Sequence, residues 1–329
     1  MEAIIRSKAG KEFSTMRVSS VQEPILKEGY LKVKMISSRI NPVDMDLMKG
    51  FPFLKYQNPQ IGGIDGAGIV LEVGDVASNF KVGDKVAFYR LFNDIGTWAE
   101  VICVKASDCA LIPDSIDVKE AGGIVLPLLT AFDSLKQLNA SKGSRILVHG
   151  VGGGVGFQAL LIAKQLGYYV IGTASEGDRN QLVNAGLDEL INYKTTDFSK
   201  KLAIGSVDYI FDVLGGETLR KSICLQPKAI VSVKYIDPSK MSKSGVNLPG
   251  ILKWIMKLGM RKTDVLAGKH GVKLIGQVTG ANGSMLQNAF DCISSNYSFR
   301  TPTYLKLGEI EKNGMVKSDI GKVILFEKD

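Results

Sequence analysis

Between Arg145 and Ser175 the sequence reads RILVHGVGGGVGFQALLIAKQLGYYVIGTAS, and four glycines fall within the five positions 150–154. Glycine this dense costs chain entropy on folding, so bare backbone must serve a purpose there. RILVH reads as a β-strand, and the pattern after it predicts a helix opening at Gly156. A turn from a strand into a helix N-terminus aims free N–H groups and the positive end of a dipole at whatever lies in front. That chemistry suits a pyrophosphate. The candidate cradle is Gly150, Gly153, Gly154, Val155 and Gly156. Gly153 and Gly154 would admit the anion close to backbone, and Gly156 would let the helix pack tightly against the strand. The spacing is GxxGxxG on Gly150, Gly153 and Gly156; the commoner GxGxxG would need glycine at Val155.

The end of the next strand, TASEGDR, is where a bound dinucleotide places its adenosine ribose. An acid there holds a ribose 2′-OH and favours NADH, and Glu176 is available. Ser175, Arg179 and Tyr193 instead suit a 2′-phosphate, which hydroxyls and a guanidinium bind well. NADPH is therefore the expected cofactor, ahead of NADH. Gly215 and Gly216, after DYIFDVL, would let backbone approach another part of the same ligand.

These residues need a scaffold to bring them together. Residues 1–122 read as β-rich: YLKVKMISSRI alternates apolar and polar positions, and GAGIVLEVG, DKVAFYR and WAEVICV are short β-branched runs cut by Gly and Asp. They predict a compact, partly closed β-module. From KEAGGIVLPLLTAFDSLKQL onward, helical spacing appears, and strands alternate with helices through ELINY, VDYIFDVLGG, AIVSVKY and VKLIGQVT. This is an α/β pattern of βαβ units, predicting a Rossmann domain with a doubly wound parallel sheet over 123–284. The tail, TYLKLGEIEKNG then GKVILFEKD, predicts a small helix or turn and a strand. Together with the residues from about 285 it would complete the first domain.

Composition narrows the classes. No apolar run reaches the roughly 18 residues of a membrane span. MEAIIRSKAG carries Glu2 and Arg6 where a secretory signal needs an apolar core, so the cytoplasm is the expected location. Cys103, Cys109, Cys224 and Cys292 are scattered, with Cys224 and Cys292 read as buried thiols. With only His149 and His270 as histidines, zinc is not expected. The net charge is +8, and residues 240–273 hold eight Lys/Arg against one acid, Asp264. Within them, GILKWIMKLGMRK puts Lys253, Lys257 and Arg261 on one helical face, with Trp254, Ile255 and Leu258 on the rest. One reading is a solvated basic face on a helix that covers the cofactor domain. The other is a weak contact between segment 240–273 and a membrane surface, or an acidic substrate. No basic motif interleaved with aromatics is present, so nucleic acid is not an expected partner.

VHGVGGGVGFQALLIAKQLG is similar to the cofactor turn of the zinc-independent, zeta-crystallin-like quinone oxidoreductases of the medium-chain dehydrogenase/reductase superfamily. INPVDMDLMKG, IGGIDGAGIVLEVG, FKVGDKVAF, GTWAEVICV, LPLLTAFDSL, INY, VDYIFDVLGGETL and GKVILF resemble that family's landmarks in order. The resemblance covers nearly the whole chain and is weakest from Ile236 to about Thr303. It implies a GroES-like partly closed β-barrel beside the Rossmann domain, and a homodimer, for which VKLIGQV could pair with its copy. Where zinc-dependent relatives carry a Cys ligand, this chain has SSRINPVDM. The resemblance makes Asn41 the first choice for positioning substrate or nicotinamide, with a turn before Pro42 as the plain alternative. It also places Thr130 on the nicotinamide side, with a hydroxyl bonding its own helix backbone as the plain alternative, Ser175 and Tyr193 at the NADPH phosphate, and Asp178 where the family's usual Lys stands. Asp44 binds substrate or caps a helix, and Tyr56 donates a phenolic proton or lines the pocket.

The expected activity is zinc-free, NADPH-dependent reduction of a small-molecule quinone or α,β-unsaturated carbonyl. The alternatives are an enoyl-thioester reductase, or a nucleotide-binding structural or nucleic-acid-binding protein without catalysis.

Overall fold

A computed structural model describes residues 1–6, 16–48, 50, 60–75, 79–92, 94, 96–294, 302–313 and 315–326. The candidate Tyr56 lies outside the described residues.

The second half of the chain builds a six-stranded, fully parallel sheet. In chain order its strands are Arg145–His149, Tyr169–Ala174, Glu189–Asn192, Tyr209–Asp212, Ala229–Ser232 and Lys273–Gly276. Their spatial order is third, second, first, fourth, fifth, sixth. Both faces are covered, so the strands are almost uniformly apolar rather than alternating, as RILVH and AIVS show. The reversal of order between the first and fourth strands opens a crevice at their C-terminal ends, where ligands of such sheets bind.

The first half forms a three-stranded antiparallel sheet and most of a seven-stranded one. Tyr30–Arg39 is the long central strand of the larger sheet. One edge pairs with Asp65–Val73, and the other is shared by Val101–Lys105 and, at Ser37–Arg39, Val323–Leu325. The C-terminal strand thus returns across the molecule to close the first sheet, with Val323 and Ile324 fully buried. A further core runs through both halves, joining Ala67, Tyr89 and Ala110 to Leu128, Val148, Phe157 and Phe290.

Some local expectations shift. The helix after the glycine turn begins at Gly154, two residues before the expected Gly156. The sixth strand ends at Gly276 instead of continuing through Gln277, Val278 and Thr279. Cys224 is exposed and Cys292 only half-buried, against the expectation that both are buried. Cys224 ends a helix, Gly216–Cys224, whose inner face is Leu219, Ser222 and Ile223, and one further residue turns the side chain out to solvent.

Because Ile324 is fully buried in the β-domain core, Ile324→Ala should cost about 2–4 kcal/mol in thermal or urea unfolding. A loss near zero would mean that the terminal strand is not seated there.

Candidate active site

The glycine turn joins the strand Arg145–His149 to the helix Gly154–Gln165. Gly150 has φ +63°, a left-handed conformation that favours glycine. A Cβ at Gly156 would lie 2.2 Å from the Gly150 carbonyl oxygen, so only glycine lets the helix enter this close to the turn. Gly153 is the N-cap and offers no side chain to the helix. The N–H groups of Gly154, Val155 and Gly156 therefore point out of the first turn with no intrahelical acceptor. They leave an uncapped helix terminus, at the positions singled out from the sequence.

A cavity of about 400 Å³ opens in front of this terminus, lined by Arg39, Gly153, Gly154, Phe157, Thr303 and Lys322 among others. Arg39 comes from the end of the central β-domain strand. A Cβ at Gly154 would lie 3.0 Å from Arg39 Nη2, while Arg39 Nη1 donates to the Gly123 carbonyl at 2.9 Å. A guanidinium from one sheet thus stands over a helix N-terminus from the other. Sequence reasoning missed Arg39 and Lys322, because nothing local to either reveals the glycine turn as its neighbour.

Next to Arg39 in the chain and in space lies a buried polar cluster. Asn41 is 2% exposed, and its Nδ2 donates to Asp65 Oδ1 at 3.0 Å. Asp44 is 1% exposed, and its Oδ2 accepts from the Asn41 backbone N–H at 2.7 Å. This is the capping role weighed for Asp44, at the start of helix Pro42–Met48. Its Oδ1 has no hydrogen-bond partner. Asp65 Oδ2 accepts from Leu126 N–H at 3.0 Å, which ties the β-domain to the helix Val125–Leu138. Burial pushes Asp65 up to about 7, although the Leu126 N–H and Arg39 oppose the rise. Burial, and then the Asp65 carboxylate, push Asp44 well above the ordinary range. Two buried carboxyls this close cannot both ionise cheaply, so the pair retains a proton. Asp65 is a third residue that sequence reasoning missed.

After the second strand of the parallel sheet, Ser175 Oγ donates to Asp178 Oδ2 at 2.7 Å. Asp178 also stands against the turn: a Cβ at Gly152 would lie 2.9 Å from its Oδ2. Arg179 forks onto Glu176, its Nη2 donating to Oε2 at 3.2 Å, and both side chains are exposed. Tyr193 is exposed beside them, its N–H donating to the Ala174 carbonyl at 3.2 Å.

The remaining expectations fall around the crevice. Gly215, φ +69°, follows the fourth strand, and its N–H is held by Asp212 Oδ1 at 3.0 Å. Asp212 Oδ2 in turn accepts from Ser232 Oγ at 2.6 Å. The loop abuts the glycine turn, since a Cβ at Gly150 would meet Val213 at 2.9 Å. Thr130 does not bond its own helix; its Oγ1 shares a 2.8 Å hydrogen bond with Thr279 Oγ1. His149, at the end of the first strand, is buried. Its Nε2 lies 2.8 Å from Ser222 Oγ, and burial lowers its pKa to about 4, so it stays neutral. Among the described residues, no three His, Cys, Asp or Glu side chains are grouped to hold a metal ion.

Residues 27–114 match the alcohol dehydrogenase GroES-like domain family, and residues 154–233 match the zinc-binding dehydrogenase family. Human quinone oxidoreductase is 32% identical over 223 residues, covering 66% of this chain and 67% of that protein. This chain belongs to the quinone oxidoreductase family. The fold agrees over almost the whole chain. Coxiella burnetii quinone oxidoreductase superposes with TM-score 0.79 at 25% identity, covering 99% of each chain. The Escherichia coli quinone oxidoreductase complexed with NADPH superposes with TM-score 0.77 at 22% identity, over 99% of this chain and 100% of that one. Matched segments span 64–67% of the length of such curated relatives. As in the family, a GroES-like β-domain stands beside a Rossmann domain.

The acid pair in this family member carries a pH signature. Unfolded, Asp65 ionises near 3.8, whereas folded it holds its proton up to about 7. The folded state binds more protons in that window, so this contribution to stability falls as pH rises through it. Asp65→Asn should flatten the decline of Tm between about pH 4 and about pH 7, measured against the wild type. Parallel Tm curves would show that Asp65 carries no such linkage.

Proposed function

We propose that the chain is an NADPH-dependent oxidoreductase that passes a hydride to a quinone or an α,β-unsaturated carbonyl, without zinc. The observation that carries this reading is the uncapped helix terminus at Gly154–Gly156, facing a cavity under Arg39. Glycines that a Cβ would obstruct, free N–H groups and a guanidinium fit a pyrophosphate. When bound, the reduced nicotinamide supplies the hydride. Everything else falls to the chain.

Gly150, Gly153, Gly154, Val155 and Gly156, with Arg39, hold the diphosphate charge. Gly215 admits the ligand close to backbone, and the paired hydroxyls of Thr130 and Thr279 orient the nicotinamide side. Arg179 exchanges Glu176 for the 2′-phosphate, assisted by Ser175 and Tyr193. Asp178 opposes that phosphate and keeps the preference over NADH modest. At the substrate, Asn41 is the positioning residue, the Asp44–Asp65 pair holds a proton beside it, and Tyr56 is the candidate phenolic donor. Hydride addition to a quinone develops oxyanion charge that hydrogen-bond donors stabilise, so this direction of reaction does not call for a Lewis acid. The open edge of Lys273–Gly276 is the surface offered for pairing into a homodimer.

Steady-state assays of NADPH and NADH against a soluble quinone, a small enone and a crotonyl thioester test this reading. Quinone or enone turnover with an NADPH preference is expected. Arg179→Ala should lower kcat/KM for NADPH about tenfold and change NADH by less than about twofold, consistent with loss of a charged hydrogen bond. Asp178→Ala should raise kcat/KM for NADPH. Turnover of the thioester alone would replace this activity with enoyl-thioester reduction.

A further inference from the structure

The helix Gly250–Lys269 is oriented differently from the expected amphipathic cover. Its inner side is Leu252, Met256, Leu266 and Ala267, which pack on the cofactor domain and on a small cluster of Met241, Val246 and Leu248. Ile251, Trp254, Ile255 and Leu258 face solvent instead, at 68%, 61%, 52% and 52% exposure. Their i, i+3, i+4, i+7 spacing makes them one continuous apolar stripe, which Val265 extends two turns further on at 63% exposure. Large contiguous apolar patches on a protein surface mark contact sites.

The charges around the stripe say what the contact is with. Lys253, Lys257 and Arg261 run along one flank, and Lys262 interrupts the stripe itself. None of the four forms an ion pair among the described residues. Asp264, the one acid in this helix, is engaged by a hydrogen bond from Tyr235 Oη. A second copy of this helix packed across a two-fold axis would bring like charges together, which disfavours a self-contact. An exposed Trp and aliphatic stripe bordered by lysine and arginine is instead the pattern of a helix lying in a lipid–water interface. No helix among the described residues is long and apolar enough to cross a membrane, so the contact would be with the surface alone.

The geometry points to the outer face of Gly250–Lys269 as a docking surface for an anionic lipid bilayer. Ile251, Trp254, Ile255 and Leu258 would enter the headgroup region, with Lys253, Lys257, Arg261 and Lys262 contacting acidic headgroups. The position has a consequence that rests on the reductase reading. Leu252 and Met256 pack on the same cluster as Phe92 of the β-domain and Val278 beside Thr279, so the helix borders the interdomain crevice. A membrane-dissolved quinone would then meet the crevice where it leaves the lipid. Binding to lipid is independent of that reading.

The test is co-sedimentation with phosphatidylcholine vesicles, with and without phosphatidylserine, read together with Trp fluorescence. Trp98 is fully buried, so Trp254 dominates any spectral response. Wild type should bind only the vesicles containing phosphatidylserine, with a blue shift, and rising salt should weaken binding. Lys257→Glu/Arg261→Glu and Trp254→Ser/Leu258→Ser should each weaken it about tenfold or more, with circular dichroism unchanged because these side chains are exposed. Absence of vesicle binding by the wild type, or equal binding to neutral and anionic vesicles, would overturn the proposal. So would conversion of a dimer to a monomer by Trp254→Ser/Leu258→Ser in sedimentation velocity, since a second copy would then cover the face. Reductase activity is not read, so a negative result here leaves the catalytic assignment to its own assays.

Discussion

The Gly150 carbonyl stands so close to Gly156 that even one methyl group would collide with it. That contact sets the angle at which the helix Gly154–Gln165 leaves the sheet, and with it the direction of the helix's free N–H groups. The cavity, the placement of Arg39 and the crevice between the first and fourth strands all acquire their chemical meaning from that direction. A bulkier residue at 156 would push the helix away and disperse the positive end of its dipole. The close packing at one glycine thus sets where the free N–H groups point.

A second constraint is electrostatic and joins the two domains. Arg39 ends a β-domain strand and reaches the cofactor-domain helix, while Asp65, from the neighbouring strand, holds the Leu126 N–H. Arg39 also favours the ionised form of Asp65, so the guanidinium faces a helix N-terminus on one side and a carboxyl on the other. Neutralising charge at the cavity would be felt at the acid pair. The site is therefore a property of the interface and belongs to neither sheet alone.

What was legible in the sequence follows from the range of the forces involved. The strand–helix alternation, the glycine turn and the Gly215 loop are encoded within a few residues, and each appears close to its expected place. The helix start was misplaced by two residues because Gly154 and Val155 are already helical, a choice the close packing at Gly156 makes and glycine propensity does not. Arg39 and Asp65 were invisible because their partners lie far away in the chain. The periodicity of GILKWIMKLGMRK predicted a helix correctly, but not which side faces inward. That depends on a cluster of Met241, Val246 and Leu248 formed elsewhere. At the end of the second strand, the bonds of Ser175 to Asp178 and of Arg179 to Glu176 are side-chain choices that residue types alone do not fix.

The central claim is that the N-terminus of Gly154–Gln165 holds the diphosphate of a dinucleotide. The direct measurement is a fluorescence titration of NADPH against Gly154→Asp. Its carboxylate would sit beside Arg39 in a helical conformation that any residue can adopt, and would occupy the anion's place. The account predicts that Kd rises about a hundredfold, as expected for a like charge a few ångströms from the ligand in a partly buried site, while the protein stays folded. A folded Gly154→Asp variant that binds NADPH as tightly as the wild type would contradict it.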